Sequence, residues 1–438
     1  MRNRWMVGAA LVVTALGAEL PAGAQEARQR WERMNTIRRQ KLDLVLPEVM
    51  RENGIDMWIT MIREANHGTL WRDLGEGYAG TDGFYVFTDR GGGRIERAAL
   101  GISGYRIERS GAYDLFLAAD ALADFVRERD PQRIGVNTSL AIGPADTLSH
   151  TGWEQIRETL GEPWASRLVS AEKLVSDFRS RRVASEIAAF AEAGEISREI
   201  AERAFSNEVI TPGVTRLEDV AWWMSDQLLA RGLDSSFGMP SVYVTGAEGI
   251  AATSNERIIQ RGDLLMIDWG VGFLNLYTDM KRIAYVLREG ETEAPAGFQN
   301  AFERAKAART VIVDSIVPGI TAAEAERRIY ANLEESGFRR IEFNQPSDDP
   351  ETTDVVIGCH SVGNSGHGIG PSIAFFNPVR LQYELRPTNL LSIELFAYTV
   401  APELGGAKVR IPLEDDAVVT ERGVEWLYPP IDRILLIR

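Results

Sequence analysis

The chain has 438 residues, of which 45% are hydrophobic and 25% charged, and 63 acids against 48 Lys and Arg leave a formal charge of −15. That length allows two packed domains, the composition excludes a disordered chain, and the acidic balance argues against nucleic acid or an anionic membrane surface as partner. A single cysteine, Cys359, permits no internal disulfide, so a large core must carry stability.

Arg2 and Arg4, the apolar run Trp5 to Gly17 and the small residues Ala22-Gly23-Ala24 read as an export leader spanning residues 1–24, with cleavage before Gln25. No later stretch is apolar enough to span a bilayer, so the expectation is a soluble periplasmic or secreted protein. Glu26 to Glu52 has helical spacing and stops at Asn53-Gly54; Ile55 to Ile62 reads as a strand. Gly83 to Phe87 and Glu96 to Leu100 flank the turn Asp89 to Gly93 and predict a hairpin. A helix is expected over Leu115 to Arg129, a strand over Arg133 to Val136 and a helix over Trp153 to Leu160. Strands alternating with helices predict an α/β domain over 25–182. His67 and His150 lie in loop-like contexts and read as surface or hydrogen-bonded residues. The basic stretch Val175 to Val183 suits a domain junction, and Ser185 is the expected N-cap of a helix reaching Phe205.

Residues 183–438 contain an internal repeat. Ile210-Thr211-Pro212-Gly213-Val214-Thr215 and Ile316-Val317-Pro318-Gly319-Ile320-Thr321 each open a helix, with Glu218 and Glu324 three residues after the threonine, the pattern of a capping box. Two related halves of one domain are expected, each giving a helix and strands. Between them, Leu264 to Ile267 and Ile283 to Leu287 predict two strands joined by a hairpin, with Asp268 and Asp279 near one sheet surface. Further on come Gly366-His367-Gly368-Ile369-Gly370, Ile393-Glu394-Leu395 and Leu413-Glu414. Each acid alone reads as a paired structural carboxylate. Together they are four acids and one imidazole at strands or glycine turns, a donor set suited to divalent ions. Two ions would neutralise carboxylates that otherwise raise one another's pKa.

This series resembles that of the "pita-bread" metallopeptidases of family M24, which include methionine aminopeptidase, prolidase, aminopeptidase P and the creatinases. The resemblance covers roughly Val183 to Arg438, and the first half is similar, more weakly, to a creatinase-type N-terminal domain. It implies an α/β (α+β) chain ending in a pseudo-twofold catalytic domain, of the Xaa-Pro aminopeptidase or prolidase branch. By resemblance, Asp268 chelates one metal, Asp279 and Glu414 bridge, and His367 and Glu394 serve the other metal. Glu394, His360 and His367 are then the catalytic candidates, with Glu394 the proton shuttle. The implied cofactors are two divalent ions, manganese before cobalt, zinc or iron. The implied substrate is a short proline-containing peptide cleaved before proline, and a homodimer is usual in that family.

The match has departures. The Xaa-Pro enzymes carry His-x-x-x-His with a further histidine about seven residues on. One alignment puts His360 on the first of these, Asn364 on the ligand position and His367 on the transition-state histidine. The other puts His367 on the ligand position and Ala374 on the later one, and the Gly-His-Gly-Ile-Gly motif favours it. Ala251-Ala252-Thr253-Ser254 occupies the region of a substrate-binding histidine, and Lys281 stands where a threonine is usual. Two other functions therefore stay open: a non-catalytic peptide- or partner-binding homologue, and a metal-independent creatinase-like C–N hydrolase.

Overall fold

The computed structural model describes residues 23–245, 254–341 and 345–438. Nearly all of the expected leader, and Ala251 to Thr253, lie outside the described residues. No helix among the described residues is long and apolar enough to cross a membrane.

The first half is built on one six-stranded sheet: β1 (Met57–Arg63), β2 (Asp82–Asp89), β3 (Ile95–Leu100), β4 (Leu115–Leu117), β5 (Ile134–Val136) and β6 (Leu168–Ser170), in the order β4-β3-β2-β1-β5-β6. The antiparallel β2–β3 hairpin is as expected, and β5 and β6 run parallel to β1 and β5 respectively. Apolar clusters cover both faces of the sheet, one around Trp58, Tyr85 and Phe87, the other around Ile59, Val86 and Ile134. Three local expectations are corrected. The N-terminal helix is not continuous: Gly23–Gln40 and Leu46–Glu52 are joined by a wider π turn at Lys41–Val45. Leu115 to Leu117 is not helical but extends the sheet beside β3, and the helix begins at Leu122. The basic stretch before Val183 holds a helix that its spacing did not predict, Glu172–Ser180, and Arg179, Arg181 and Arg182 are buried.

That burial has a cause. Arg179 reaches Asp73, Arg181 pairs with Glu52, and Arg182 meets Glu186 at 2.9 Å. Lys41 from the π turn lies 3.2 Å from the same Glu186 and donates to the Arg181 carbonyl. Buried charges persist only when paired in this way. Glu186 also accepts from the Val183 amide, so Val183, not Ser185, caps the helix Ala184–Ala204; Ser185 bonds Gln40 instead.

The second half contains β7 (Asp234–Ser235), β8 (Ser241–Thr245), β9 (Leu264–Trp269), β10 (Val271–Phe273), β11 (Leu276–Tyr277) and β12 (Met280–Val286), then β13 (Phe338–Arg340), β14 (Thr353–Ile357), β15 (His360–Ser361), β16 (Leu390–Val400), β17 (Lys408–Thr420), β18 (Gly423–Trp426) and β19 (Leu435–Ile437). One sheet runs β19-β12-β9-β8 and the other β13-β14-β16-β17-β18, with β15 also paired to β16. The helices Ala184–Ala204 and Leu217–Arg231 pack on the first sheet, and Ala296–Ser315 and Ala322–Glu335 on the second. This is the two-halved arrangement expected from the repeat. The capping differs between the copies. Thr321 accepts from the Glu324 amide as expected, but the first helix starts one residue later, capped by Arg216 with Asp219 closing the box.

Candidate metal and catalytic site

The two sheets bring their acids together through strand register. β9 and β12 are antiparallel, with Lys281 directly opposite Asp268. The link between them doubles back through β10 and β11 around Leu274 and Asn275, both at positive φ, the geometry of a tight two-residue hairpin. Gly270 is required there, because any Cβ would run into the Thr278 carbonyl. Asp279 precedes β12, so strand alternation sends Asp279 and Lys281 to one face. On the other sheet Glu394 and Glu414 are cross-strand partners. Like charges directly opposite are unfavourable, so a cation must lie between them.

That cation is Lys281. Its buried ammonium is 2.7 Å from Glu394, 3.2 Å from Asp268 and in close contact with Glu414. Burial opposes its charge, but the carboxylates of Asp268, Glu394 and Glu414 outweigh that and hold the ammonium well above its ordinary value. Burial likewise raises Asp268 and Glu394. Glu414 goes the other way: burial works against ionisation, but Lys281 and His360 hold it well below the usual range. Asp279 is pushed up to about 6, first by burial and then by Glu414, which together outweigh the His367 hydrogen bond and the Lys281 charge.

Both histidines of the glycine-rich stretch face Asp279. His367 Nε2 is 3.1 Å from it and His360 Nε2 is 3.8 Å away, and the two rings meet edge to face at 4.6 Å between centroids. His360 Nδ1 contacts the Ser361 carbonyl, which turns Nε2 toward the acids, 3.5 Å from Glu414. Burial opposes an imidazolium at His360, but the Glu414 hydrogen bond and the Asp279 charge carry it up to about 9. His360 sits on β15 opposite Ser392 and shares a cluster with Glu394 and Glu414. So His360 is the imidazole grouped with Glu394, while His367, its side chain half exposed, is placed on Asp279. This is an exchange of the neighbours expected from the glycine motif. The glycines serve backbone packing: Gly368 lies against Pro144, and the Gly370 amide donates to Ser176 Oγ. Asn364 is buried away from these contacts.

The side chains form three overlapping groups of possible metal donors. Asp279, His360 and His367 offer one carboxylate and two imidazoles with ligand atoms within 4.8 Å of one another, a donor set for one divalent ion with open positions. Asp268, Asp279 and Glu414 form a second such group and His360, Glu394 and Glu414 a third, and in this arrangement Lys281 contacts Asp268, Glu394 and Glu414.

All six expected side chains line one cavity of about 620 Å³. Its walls add residues that sequence patterns did not single out: Phe237, Phe376, Asn377, Arg380 and, from the first half, Ala141. Arg380 is buried, has no ion pair among the described residues, and is pulled down to about 10 by desolvation. No local motif marks these positions, since they meet only through the tertiary fold. Cys359 is buried under the site, donates to the Glu394 carbonyl, and burial pushes its thiol up to about 12, far from a reactive thiolate. His67 stacks on Trp71 and His150 opens a helix at the surface, as expected for structural histidines.

Known proteins share this architecture. The X-Pro aminopeptidase of Thermotoga maritima superposes with a TM-score of 0.65 at 17% identity, covering 89% of this chain and 100% of its own. The Xaa-Pro dipeptidase of Bacillus anthracis gives 0.61 at 20%, covering 94% and 99%. In sequence, the Bacillus subtilis peptidase YqhT is 25% identical over 308 residues, 66% of this chain and 76% of that protein. The Xaa-Pro dipeptidase of Pyrococcus furiosus is 23% identical over 291 residues, 65% and 73% of the two chains. The profile of one peptidase family matches residues 188–421, more than half the chain and all of the acid and histidine positions above. With its two-halved pita-bread fold, the chain therefore belongs to metallopeptidase family M24.

Proposed function

We propose that the protein is an exported exopeptidase that removes the first residue from short peptides with proline in second position. The observation that carries this reading is the convergence of Asp279, His360, His367 and Glu394 in one cavity that also holds Arg380, a cation with no ion pair among the described residues. The likeness to Xaa-Pro dipeptidases supports the substrate class.

Asp279, His360 and His367 would hold one divalent ion, for which manganese is the first candidate. Such an ion supplies Lewis acidity and lowers the pKa of water at neutral pH. The remaining work belongs to the chain. Glu394, its carboxyl raised by burial, would take a proton from water and return it to the leaving amine. Four acids against Lys281 and one divalent ion leave the cavity floor negative, which favours the ammonium end of a peptide. Arg380 suits the carboxylate end, and Phe237 and Phe376 present apolar faces for a proline ring.

The test is release of the first residue from Ala-Pro and Ala-Pro-Gly by purified, manganese-loaded protein, followed by mass spectrometry. Turnover is expected, and Glu394→Gln should lower kcat by about 10²–10⁴. No release from any Xaa-Pro peptide with any of the four candidate metals would overturn the reading. A second reading, a peptide binder without turnover, is favoured by the Lys281 bridge across three acids. It is identified by saturable peptide binding in calorimetry with no product. Export is tested by cell fractionation of the full chain.

A further inference from the structure

We propose that the Lys281 ammonium is a built-in cation that permanently fills one of the two cation positions of the acid cage, so that the chain binds one divalent ion, on Asp279, His360 and His367, and not two. The argument is geometric. Glu394 and Glu414 face one another across β16 and β17, and Asp268 completes the set from β9. A cation between them is required by their charge, and Lys281 supplies it from within the chain with contacts to all three. Its side chain is held there, fully surrounded, by the register that sets it opposite Asp268 and by the Phe396 ring 5.5 Å below. Lysine has three donors and here has three carboxylates. Lys281 donates to Glu394 and Glu414 and is ion-paired with Asp268, and a second ion would have to displace a paired, buried ammonium.

The charge balance agrees. Four carboxylates carry four negative charges, and one divalent ion and one ammonium supply three positive charges. A second divalent ion beside Lys281 would place like charges in contact. What remains outside the lysine's reach is Asp279 with two imidazoles, which is a sufficient set for a single ion.

The inference shares the metal site with the proposed peptidase reading but not its substrate, and its test does not use turnover. Metal-free protein is loaded with excess Mn²⁺, freed of unbound ion by gel filtration, and its manganese measured by mass spectrometry. Wild-type protein should carry one ion per chain and show the isolated six-line electron paramagnetic signal of a mononuclear site. Lys281→Thr removes the ammonium and should carry two ions with an exchange-coupled signal; Lys281→Arg, which keeps the charge, should stay at one. His367→Ala should fall below one at the same free Mn²⁺. Two ions per wild-type chain, or none, overturns the proposal even if the threonine variant does not fold. One ion in a folded threonine variant overturns the assignment to Lys281. Failure to cleave Xaa-Pro peptides leaves these stoichiometries unchanged and counts only against the substrate reading.

Discussion

Gly358 shows how tightly the site is built. A Cβ at this position would collide with the Glu394 carboxylate. Gly358→Ala should therefore shift the proton-transfer group while leaving the fold intact. A displacement near 1 Å is worth about 100-fold in rate, so kcat on Ala-Pro should fall by that order with an unchanged circular dichroism spectrum. A kcat within twofold of wild type would remove Glu394 from the reaction. Arg380 makes a different prediction, on binding. A hydrogen-bonded charge is worth about 1.5–3 kcal/mol, so Arg380→Met should raise KM for Ala-Pro roughly 10- to 100-fold. The amide of the same dipeptide, which has no carboxylate, should be nearly indifferent, and equal losses on both would contradict the assignment.

At the scale of elements, the junction around Glu186 ties three segments: the π turn, the Arg181-Arg182 connection and the helix that follows. Burial alone would raise Glu186, but Lys41 and Arg182 outweigh it and hold the carboxyl below its ordinary value of 4.5. A depressed carboxyl stabilises the fold fully above the unfolded value and loses that contribution as pH falls through the folded one. Breaking a buried pair costs about 3–5 kcal/mol. Glu186→Gln should be less stable than wild type by about that amount at pH 7, in urea unfolding, and the gap should close as pH drops below about 4.5. A gap independent of pH would show that packing, not charge, holds the junction.

The same elements show what sequence could and could not convey. The β2–β3 hairpin, β1 and β5, and the two-halved second domain follow from turn residues and apolar periodicity, which are local signals. The helix starts were displaced because capping is decided by which side chain reaches back to an amide: Glu186 and Asp219 did so, and Ser185 was drawn off to Gln40. The acids of the site were visible because a carboxylate in an apolar strand is anomalous. Lys281 was visible as a departure from the usual threonine, yet its role needed strand alternation after Asp279 and the register with Asp268. The neighbours of His360 and His367 depend on how a glycine loop is threaded, and that is fixed by Pro144 and Ser176, more than 180 residues away in sequence.

At the scale of the molecule, the two halves share a core. Ile369 and Tyr383 from the second half pack into the apolar cluster of the first, alongside Trp58 and Phe178, and Asn389 donates to the Ser180 carbonyl. Ile369 is only two residues from His367. Ile369→Ala should cost about 2–5 kcal/mol of stability and, unlike a core truncation elsewhere in the first half, should also weaken Mn²⁺ affinity, read by calorimetry. Unchanged affinity would mean that His367 is positioned without its neighbour.

This shared core has a thermodynamic corollary. A segment that holds a ligand at one end and plugs a remote core at the other couples the two events, and such coupling is reciprocal: the free energy by which an intact first-half core improves binding equals that by which binding protects the core. Mn²⁺ or peptide in the cavity should therefore slow amide hydrogen exchange in β1, whose Trp58 shares an apolar cluster with the inserted Ile369 and which does not line the cavity. The first half would then report on occupancy of a site to which, among the described residues, it contributes Ala141 alone.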